Sequence, residues 1–344
     1  MIDTREAAEF RGFVGERVKT FCSGRTKKLI LPFPFLPLLS PFMKSIVSSL
    51  IWFLRRCFYN TPIKNWPLTA YLYGKVGRLL VGSSPFPVID YQGLKLKTNG
   101  ADVIITAALV NGNYEPFTLS IFHALIAEGI QRKKEQPYVF ADIGANIGIF
   151  AITAAARNSE IKVFAFEPNP VSYRLLEENV EMNGLKNVTA INMAVGAEAG
   201  NVSLDVTSPH AGLHSIYGEG SNRLDVPVIA LNDFFLARGC MPDLFKADVE
   251  GYEPLVLQGM GKLLQNGPFQ IILEFNPEHL SRGEKEPEAF LKELTEQFDE
   301  ILCLDEIERA PIRYQVENLP LKQKILLVGY NLLLIKGEVP EFLK

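Results

Sequence analysis

A carboxylate beside two spaced glycines is the part of this 344-residue chain best suited to chemistry. Asp142 is followed by Gly144 and Gly148 in the stretch Asp-Ile-Gly-Ala-Asn-Ile-Gly, between an apolar strand pattern and a helix pattern rich in small residues. Gly144 permits a sharp turn and a close approach of the backbone to a ligand. Gly148 opens the helix, whose free N–H groups we expect to face that ligand.

The spacing of these glycines differs from that of a dinucleotide-binding loop. Such a loop reads G-x-G-x-x-G and places a pyrophosphate on the helix N-terminus, whereas here three residues separate Gly144 from Gly148. The carboxylate of Asp142 would repel a pyrophosphate, but it could hold a cationic amino acid group through water. The pattern therefore favours S-adenosylmethionine over NAD as the cofactor.

A second carboxylate stands where a ribose is expected. Glu167 ends the next apolar strand pattern, in Phe-Glu-Pro-Asn-Pro (166–170). A carboxylate at the tip of the second strand, about twenty residues past the glycine turn, can accept hydrogen bonds from both ribose hydroxyls. A helix cap or a surface position is the alternative for a lone glutamate, but the register with the glycine turn favours a ribose ligand.

The fourth predicted strand leads into Lys-Ala-Asp-Val-Glu-Gly-Tyr-Glu (246–253), which carries our first candidates for a general base. Asp248 and Glu250 alternate onto the same side if the strand continues, and the carboxyl edge of a doubly wound sheet is where substrate meets cofactor. A carboxylate within hydrogen-bond reach can take the proton of a hydroxyl nucleophile. Either residue could instead bind the cofactor amine or hold the loop, so Asp248 is also a candidate cofactor ligand.

Four further polar residues are weaker candidates. Glu274, at the end of the fifth predicted strand, could join the two carboxylates above in an oxygen-rich Mg²⁺ site, although a capping or substrate-binding role is the stronger expectation and no metal ligand is assigned. His214 and His210 lie in a linker that contains proline and glycine; there His214 could act as a base or be an ordinary surface residue. His279 is weaker still.

Strand and helix patterns alternate along the part of the chain that must position these residues. Short apolar runs between helical patterns are typical of a mostly parallel sheet covered by helices, an α/β class with a Rossmann-like arrangement. The predicted strands of this sheet are residues 138–143, 162–167, 188–195, 244–249, 270–275, 301–304 and 330–335. The predicted helices are residues 116–131, 148–157, 171–183, 254–265 and 287–298. Alternating runs predict one hairpin within residues 88–106 and another from residues 201–206 and 224–230.

The N-terminal region has a different character. We predict a boundary between residues 1–85 and a main domain of residues 86–344. Residues 29–54 are mostly apolar, with Lys44 as their only charged residue, and have basic flanks. Four prolines in the first half of that segment prevent a continuous membrane-spanning helix. We expect a segment lying on anionic lipid or an apolar arm packed on the main domain or on a second subunit, with a true membrane span as the third and weakest alternative.

The bulk composition limits the classes of function. Hydrophobic residues make up 47% of the chain, which suffices for a core, and the net charge of −4 gives no sign of nucleic-acid binding. The cysteines at 22, 57, 240 and 303 lie far apart and predict neither a zinc site nor disulfides. We expect reduced thiols and a cytoplasmic location, with peripheral attachment to the inner face of the membrane if residues 29–56 bind lipid.

The motifs together resemble the FkbM family of S-adenosylmethionine-dependent methyltransferases. The resemblance rests on the order and spacing of Asp-Ile-Gly-Ala-Asn-Ile-Gly, Phe-Glu-Pro-Asn-Pro, Asn-Gly-Leu-Lys-Asn-Val and Lys-Ala-Asp-Val-Glu-Gly-Tyr-Glu, and it extends over residues 113–336. It implies a seven-stranded sheet with an antiparallel last strand and a cofactor over the carboxyl ends of the first strands. Residues 1–85 lie outside it.

The resemblance also assigns individual residues to the cofactor site. The residues that it places there are Glu115, Asp142, Gly144, Asn146, Gly148, Glu167, Ala194 and Val195. Of these, Glu167 would bind the ribose, Ala194 would contact the adenine, and Glu115 would face the methionine end. The resemblance further implies methyl transfer to a hydroxyl oxygen, typically on a sugar or a secondary metabolite.

We therefore predict an S-adenosylmethionine-dependent O-methyltransferase that acts on a glycan, a glycolipid or a related hydroxylated metabolite. The alternatives are an N-methyltransferase and a membrane-associated scaffold that binds the cofactor without catalysis. No Asn/Asp-Pro-Pro-aromatic run follows the fourth predicted strand, which weakens methylation of adenine. The expected partners are a small molecule, sugar or glycolipid substrate and a membrane surface, but no nucleic acid.

Overall fold

The computed structural model describes the chain from residue 87 onward, with short gaps. The described residues are 87–99, 105, 114–133, 136–206, 216–217, 220–265 and 267–344. The apolar segment 29–56 and the predicted boundary at residue 85 lie outside them and stay predictions. None of the helices in the described part combines the length and the apolar character needed to cross a membrane.

Strands and helices alternate along the described residues, as the sequence predicts. In chain order the strands are β1 (Val88–Tyr91), β2 (Leu94–Lys97), β3 (Val139–Ile143), β4 (Lys162–Phe166), β5 (Val188–Ile191), β6 (Ala194–Val195), β7 (Gly200–Asp205), β8 (Arg223–Ile229), β9 (Leu244–Ala247), β10 (Phe269–Phe275), β11 (Glu300–Asp305), β12 (Ala310–Arg313) and β13 (Tyr330–Lys336). The α-helices are α1 (Pro116–Arg132), α2 (Ile149–Arg157), α3 (Pro170–Met182), α4 (Leu231–Leu236), α5 (Glu253–Met260), α6 (Pro277–Arg282), α7 (Pro287–Gln297) and α8 (Leu319–Val328).

The main sheet has eight strands in the order β12–β11–β13–β10–β9–β3–β4–β5. The neighbours from β10 to β5 pair in parallel, whereas β13 is antiparallel to both β10 and β11. This topology confirms the predicted Rossmann-like α/β class and the antiparallel last strand. An eighth strand, β12, pairs with β11 at the edge and was not predicted.

Helices cover both faces of the main sheet, which explains why its central strands are apolar throughout. All five residues of β3 are buried. One core cluster contains Phe122 of α1 and Leu176 of α3, and the other contains Phe235 of α4. Because successive strand residues face opposite sides, Phe140 and Ala141 of β3 belong to different clusters.

The single strand predicted over residues 188–195 is two strands. β5 stays in the main sheet, while β6 pairs in parallel with β8, and β8 is antiparallel to β7. The predicted hairpin of residues 201–206 and 224–230 is thus confirmed, within a three-stranded sheet. Asn192 lies at the break, where its side-chain amide donates to the carbonyl oxygens of Glu167 (2.8 Å) and Pro168 (3.1 Å). Asn192 therefore links the point between β5 and β6 to the end of β4.

Several short elements were missed by the sequence prediction, namely α4, α6, α8 and β12. Two of the helices begin at an asparagine cap beside a proline, which is a recognisable start signal. The Asn276 side chain accepts from the backbone N–H groups of Glu278 and His279, and the Asn318 side chain accepts from that of Leu321. Another difference concerns the predicted helix 254–265, which is α5 followed by a 3₁₀ turn at Gly261–Gln265.

Asn179 in α3 and Asn183 directly after that helix attach the β1–β2 hairpin to the main domain. The Lys97 backbone N–H donates to Asn179 Oδ1 (2.6 Å), and Asn179 Nδ2 donates to the carbonyl oxygens of Lys97 and Ile147 (both 3.0 Å). Asn183 makes the same pair of bonds with Lys95 (2.9 and 2.8 Å), nearer the surface. Since Ile147 belongs to the glycine turn, the buried Asn179 connects the hairpin to the candidate cofactor loop.

The substitution Asn179→Ala should lower the free energy of unfolding by about 1–3 kcal/mol, because it leaves buried backbone groups without partners. We expect a smaller loss for Asn183→Ala, since water can replace its amide. Chemical denaturation of both variants at constant m-value measures the difference. Equal losses of unfolding free energy in the two variants would show that the buried contacts of Asn179 contribute no more than the exposed contacts of Asn183.

Candidate active site

A cavity of about 290 Å³ lies at the carboxyl ends of β3, β4, β9 and β10. It brings together residues that the sequence predicts to form one site. The predicted residues that line it are Glu115, Asp142, Gly144, Asn146, Glu167, Ala194, Val195, Asp248, Glu250 and Glu274. Such a position, at the carboxyl edge of a doubly wound sheet, is where ligands bind in this class of fold.

The glycine turn follows β3 and needs left-handed backbone at three positions. The φ angles are 78° at Gly144, 52° at Asn146 and 89° at Gly148. The Gly144 N–H donates to the carbonyl oxygen of Phe166 (3.0 Å), which joins the turn to the tip of β4. A Cβ atom on Gly144 would lie 1.9 Å from the carbonyl oxygen of Asp248. The turn can therefore pass this close to the end of β9 only without a side chain.

Gly148 has a packing role. It is absent from the residues that line the cavity, and its N–H donates to the carbonyl oxygen of Ala145 (2.8 Å). A Cβ atom at this position would lie 2.4 Å from Leu176 Cδ1. Its missing side chain lets α2 pack closely against α3, and the expectation that Gly148 also faces the ligand stays a prediction.

Glu167 follows β4 directly and has the geometry of a ribose ligand. Its side chain is buried, with Oε1 accepting from the Asn169 N–H and Oε2 from the Asn146 N–H (both 2.8 Å). A carboxylate oxygen has two lone pairs, so each oxygen can accept one further bond, from a hydroxyl. Burial raises the pKa of Glu167 to about 7, against the opposing effect of the two N–H groups.

Asp142 and Glu115 add two further buried carboxyl groups. Asp142 Oδ2 accepts from the Ala151 N–H (3.0 Å), and Glu115 Oε2 accepts from Asn331 Nδ2 (3.1 Å). Burial raises the pKa of each to about 7, and the charge of Lys246 opposes both rises. Near neutral pH each group can therefore change its protonation when a cation arrives.

Lys246 is the functional residue that the sequence prediction overlooked. It is 3% exposed, with Nζ 2.7 Å from Asp248 Oδ2 and 4.7 Å from the centroid of the Phe150 ring. Burial alone would lower the pKa of Lys246, but Asp248, Glu115 and Asp142 raise it, so the ammonium stays charged. The feature that could have identified Lys246 is its place in β9, a strand whose four residues are all buried.

Asp248 and Glu274 are a carboxyl pair with opposite pKa shifts. Burial would raise the pKa of Asp248, but the charge and hydrogen bond of Lys246 hold it below its ordinary value. Burial and the charges of Asp248 and Glu250 raise the pKa of Glu274 well above its ordinary value. The opposite shifts make Glu274 the more readily protonated group of this pair.

Glu250 pairs with His279, the weakest of the histidine candidates. His279 Nδ1 lies 2.6 Å from Glu250 Oε2. Glu250 has a left-handed φ of 56°, where the chain leaves β9 and its side chain reaches α6. Burial opposes protonation of the imidazole, but the hydrogen bond and charge of Glu250 raise the pKa of His279. Burial raises the pKa of Glu250 in turn.

His214 and His210 lie outside the described residues. The role of His214 as a base therefore stays a prediction.

The parallel sheet, its antiparallel strand and the glycine turn with Glu167 define a domain of the S-adenosylmethionine-dependent methyltransferase class. Residues 142–304 match the methyltransferase FkbM domain. The match covers a little under half of the chain and agrees with the family that its motifs resemble. S-adenosylmethionine is the cofactor of this class.

Three known proteins are similar to the chain over part of its length. Hexuronic acid methyltransferase AglP of Haloferax volcanii is 34% identical over 142 residues, which cover 40% of this chain and 56% of that protein. Methyltransferase sdnD of Sordaria araneosa is 29% identical over 159 residues, 36% of this chain and 60% of that protein. Methyltransferase 1 of Beauveria bassiana is 26% identical over 144 residues, 35% and 57%. The chain thus spans little more than half the length of these relatives.

The glycine turn gives a matched pair of substitutions. Gly144→Ala and Gly184→Ala both place a side chain at positive φ (78° and 64°), but only Gly144 meets an obstacle, since nothing lies within 4 Å of a Cβ at Gly184. Gly184→Ala should cost only backbone strain, about 1–2 kcal/mol, with cofactor affinity retained. Gly144→Ala must displace the end of β9, so it should lose more stability and S-adenosylmethionine binding. Thermal denaturation and calorimetry measure the two effects, and similar values for both variants would contradict the close approach.

The raised pKa values predict how cofactor affinity depends on pH. Glu167, Glu115 and Asp142 have pKa values of about 7 in the cofactor-free protein, and an ionised carboxylate is the form that binds hydroxyls and cations. Binding should therefore release protons, and affinity for S-adenosylmethionine should rise with pH until these groups are ionised. Calorimetry at pH values below and above 7, in two buffers of different ionisation enthalpy, measures both quantities. Proton uptake, or an affinity independent of pH, would refute this assignment.

Proposed function

We propose that this chain is an S-adenosylmethionine-dependent O-methyltransferase that acts on a hydroxyl group of a glycan, a glycolipid or a related metabolite. The observation that carries the proposal is one cavity that contains both the ribose-type carboxylate of Glu167 and the acidic groups of Asp248, Glu250 and Glu274. The name of the Haloferax volcanii relative, a hexuronic acid methyltransferase, supports an acceptor that contains a sugar.

The residues of the cavity fit the cofactor. Glu167 would accept from the ribose hydroxyls, and the buried Ala194 and Val195 would contact the adenine. Asn146 Oδ1 is buried without a hydrogen-bond partner in the described structure, so a donor of the ligand would satisfy it. Six carboxyl groups and one lysine line the cavity, a balance that suits a sulfonium and an amine. When bound, the cofactor supplies a methyl group on that sulfonium.

Methyl transfer is an in-line displacement, so the site must first align the acceptor oxygen with the methyl carbon. A carbon–oxygen bond forms as the carbon–sulfur bond breaks, and the hydroxyl proton passes to a base. Lys246 makes Asp248 a weak base because it lowers the pKa of that carboxyl group. Glu250 is the better candidate, since its pKa is raised and it adjoins the imidazole of His279. We therefore assign Asp248 to the cofactor end of the site and Glu250 to the acceptor.

The substitution Glu250→Gln should lower kcat by about 10²- to 10⁴-fold, because it removes the proton acceptor. The Kd for S-adenosylmethionine should change little, since the cofactor contacts that we assign lie on other residues. Glu278→Gln is the matched control, because that side chain is exposed on α6 and pairs only with Arg282 among the described residues. Formation of S-adenosylhomocysteine and calorimetric titration measure the two constants. Equal losses in both would assign Glu250 to cofactor binding.

The proposed reaction is tested most directly through its product. Mass spectrometry of glycans and lipids from cells with and without the gene should find a species that carries one more methyl group only when the gene is present. Purified protein should convert S-adenosylmethionine to S-adenosylhomocysteine when that acceptor is added. Cofactor binding without any methylated product would instead identify a non-catalytic binding protein.

A further inference from the structure

We propose that Glu250, Glu274 and His279 form a binding site for a divalent metal ion at the acceptor end of the cavity. One ligand atom of each side chain, two carboxylate oxygens and an imidazole nitrogen, lies within 4.8 Å of the others. Three side chains so close together can coordinate a single ion and leave positions open for other ligands. This inference deepens the proposed function and rests on it only for the identity of the acceptor.

Two observations show that this set is suited to a cation. Glu274 Oε2 is buried without a hydrogen-bond partner in the described structure, although it belongs to a carboxyl group beside other acids. His279 Nδ1 lies 2.6 Å from Glu250 Oε2 and is likewise buried without a hydrogen-bond partner in the described structure. An ion between these side chains would satisfy both the imidazole nitrogen and the buried oxygen of Glu274.

The imidazole is positioned from its other side by an amide, whose nitrogen can only donate to the ring. Asn276 Nδ2 lies 3.3 Å from His279 Nε2. The Asn276 side-chain oxygen accepts from the N–H groups at the start of α6, including that of His279. The amide orientation is therefore set by the helix cap, and it positions the ring toward Glu250.

The donor set differs from the all-oxygen Mg²⁺ site that the sequence suggested from Asp248, Glu250 and Glu274. Asp248 is engaged by Lys246 at 2.7 Å, which makes it a poor ligand for a second cation. Its place is taken by an imidazole nitrogen, and imidazole with carboxylates suits Mn²⁺, Fe²⁺ or Zn²⁺ better than Mg²⁺. The open positions would bind oxygen atoms of the acceptor, whose hydroxyl would then lose its proton more readily to the second, uncoordinated oxygen of Glu250.

Titration of the purified full chain with Mn²⁺, after removal of metals by a chelator and without cofactor or acceptor, tests the site. Electron paramagnetic resonance of free Mn²⁺ should show one ion bound per chain. Glu274→Gln and His279→Gln should each weaken binding at least about 10-fold, since loss of even an outer partner of a ligand costs that much. Glu278→Gln, on the same helix but exposed, should bind as the wild type does.

Spectroscopy keeps the test valid if a variant is destabilised. Electron spin-echo modulation of the Mn²⁺-loaded wild type and Glu278→Gln proteins should show coupling to an imidazole nitrogen, and His279→Gln should lack it. Failure of the wild type to bind Mn²⁺ at millimolar concentration, or bound Mn²⁺ without nitrogen coupling, would overturn the proposal. Cofactor binding and methyl transfer are measured separately, so a metal site without turnover, or turnover without a metal site, would show which of the two proposals fails.

Discussion

The ion pair between Lys246 and Asp248 is the interaction on which the site depends. Six carboxyl groups line one cavity, and both their mutual repulsion and their burial favour protonation. Lys246 is the one basic side chain among the described lining residues. Its charge holds Asp248 ionised and opposes the raised pKa values of Glu115 and Asp142. Because Lys246 is a buried cation, several acidic side chains can lie together at one edge of the sheet, where they can bind a sulfonium.

Much of the cofactor half of this site could be predicted from the sequence because it is local. The strand, the turn and the helix from Asp142 to Gly148 are adjacent in the chain, and Glu167 follows the next strand by simple alternation. Parallel neighbours then place the two segments side by side. Only the resemblance predicted the antiparallel last strand, and no strand order was predicted, since periodicity alone does not say which strands pair.

The acceptor half could not be predicted because it depends on contacts between distant segments. Lys246 has a role only because the carboxyl groups of other strands and of α1 converge on it. His279 reaches Glu250 because a left-handed residue ends β9 and an asparagine cap starts α6. Gly148 also lets α2 pack against α3, a contact that its motif alone does not indicate.

One wall of the cavity is formed by the small sheet of β6, β7 and β8, which is separate from the main sheet. Ala194 and Val195 belong to β6, which pairs with β8 and not with β5, and Leu204 of β7 and Ile216 line the same cavity. Asp142, by contrast, lies on β3, whose register is set by its parallel neighbours. Divergence of β7 and of the residues near Ile216 can therefore reshape this wall of the cavity during evolution while the parallel core that carries Asp142 is conserved.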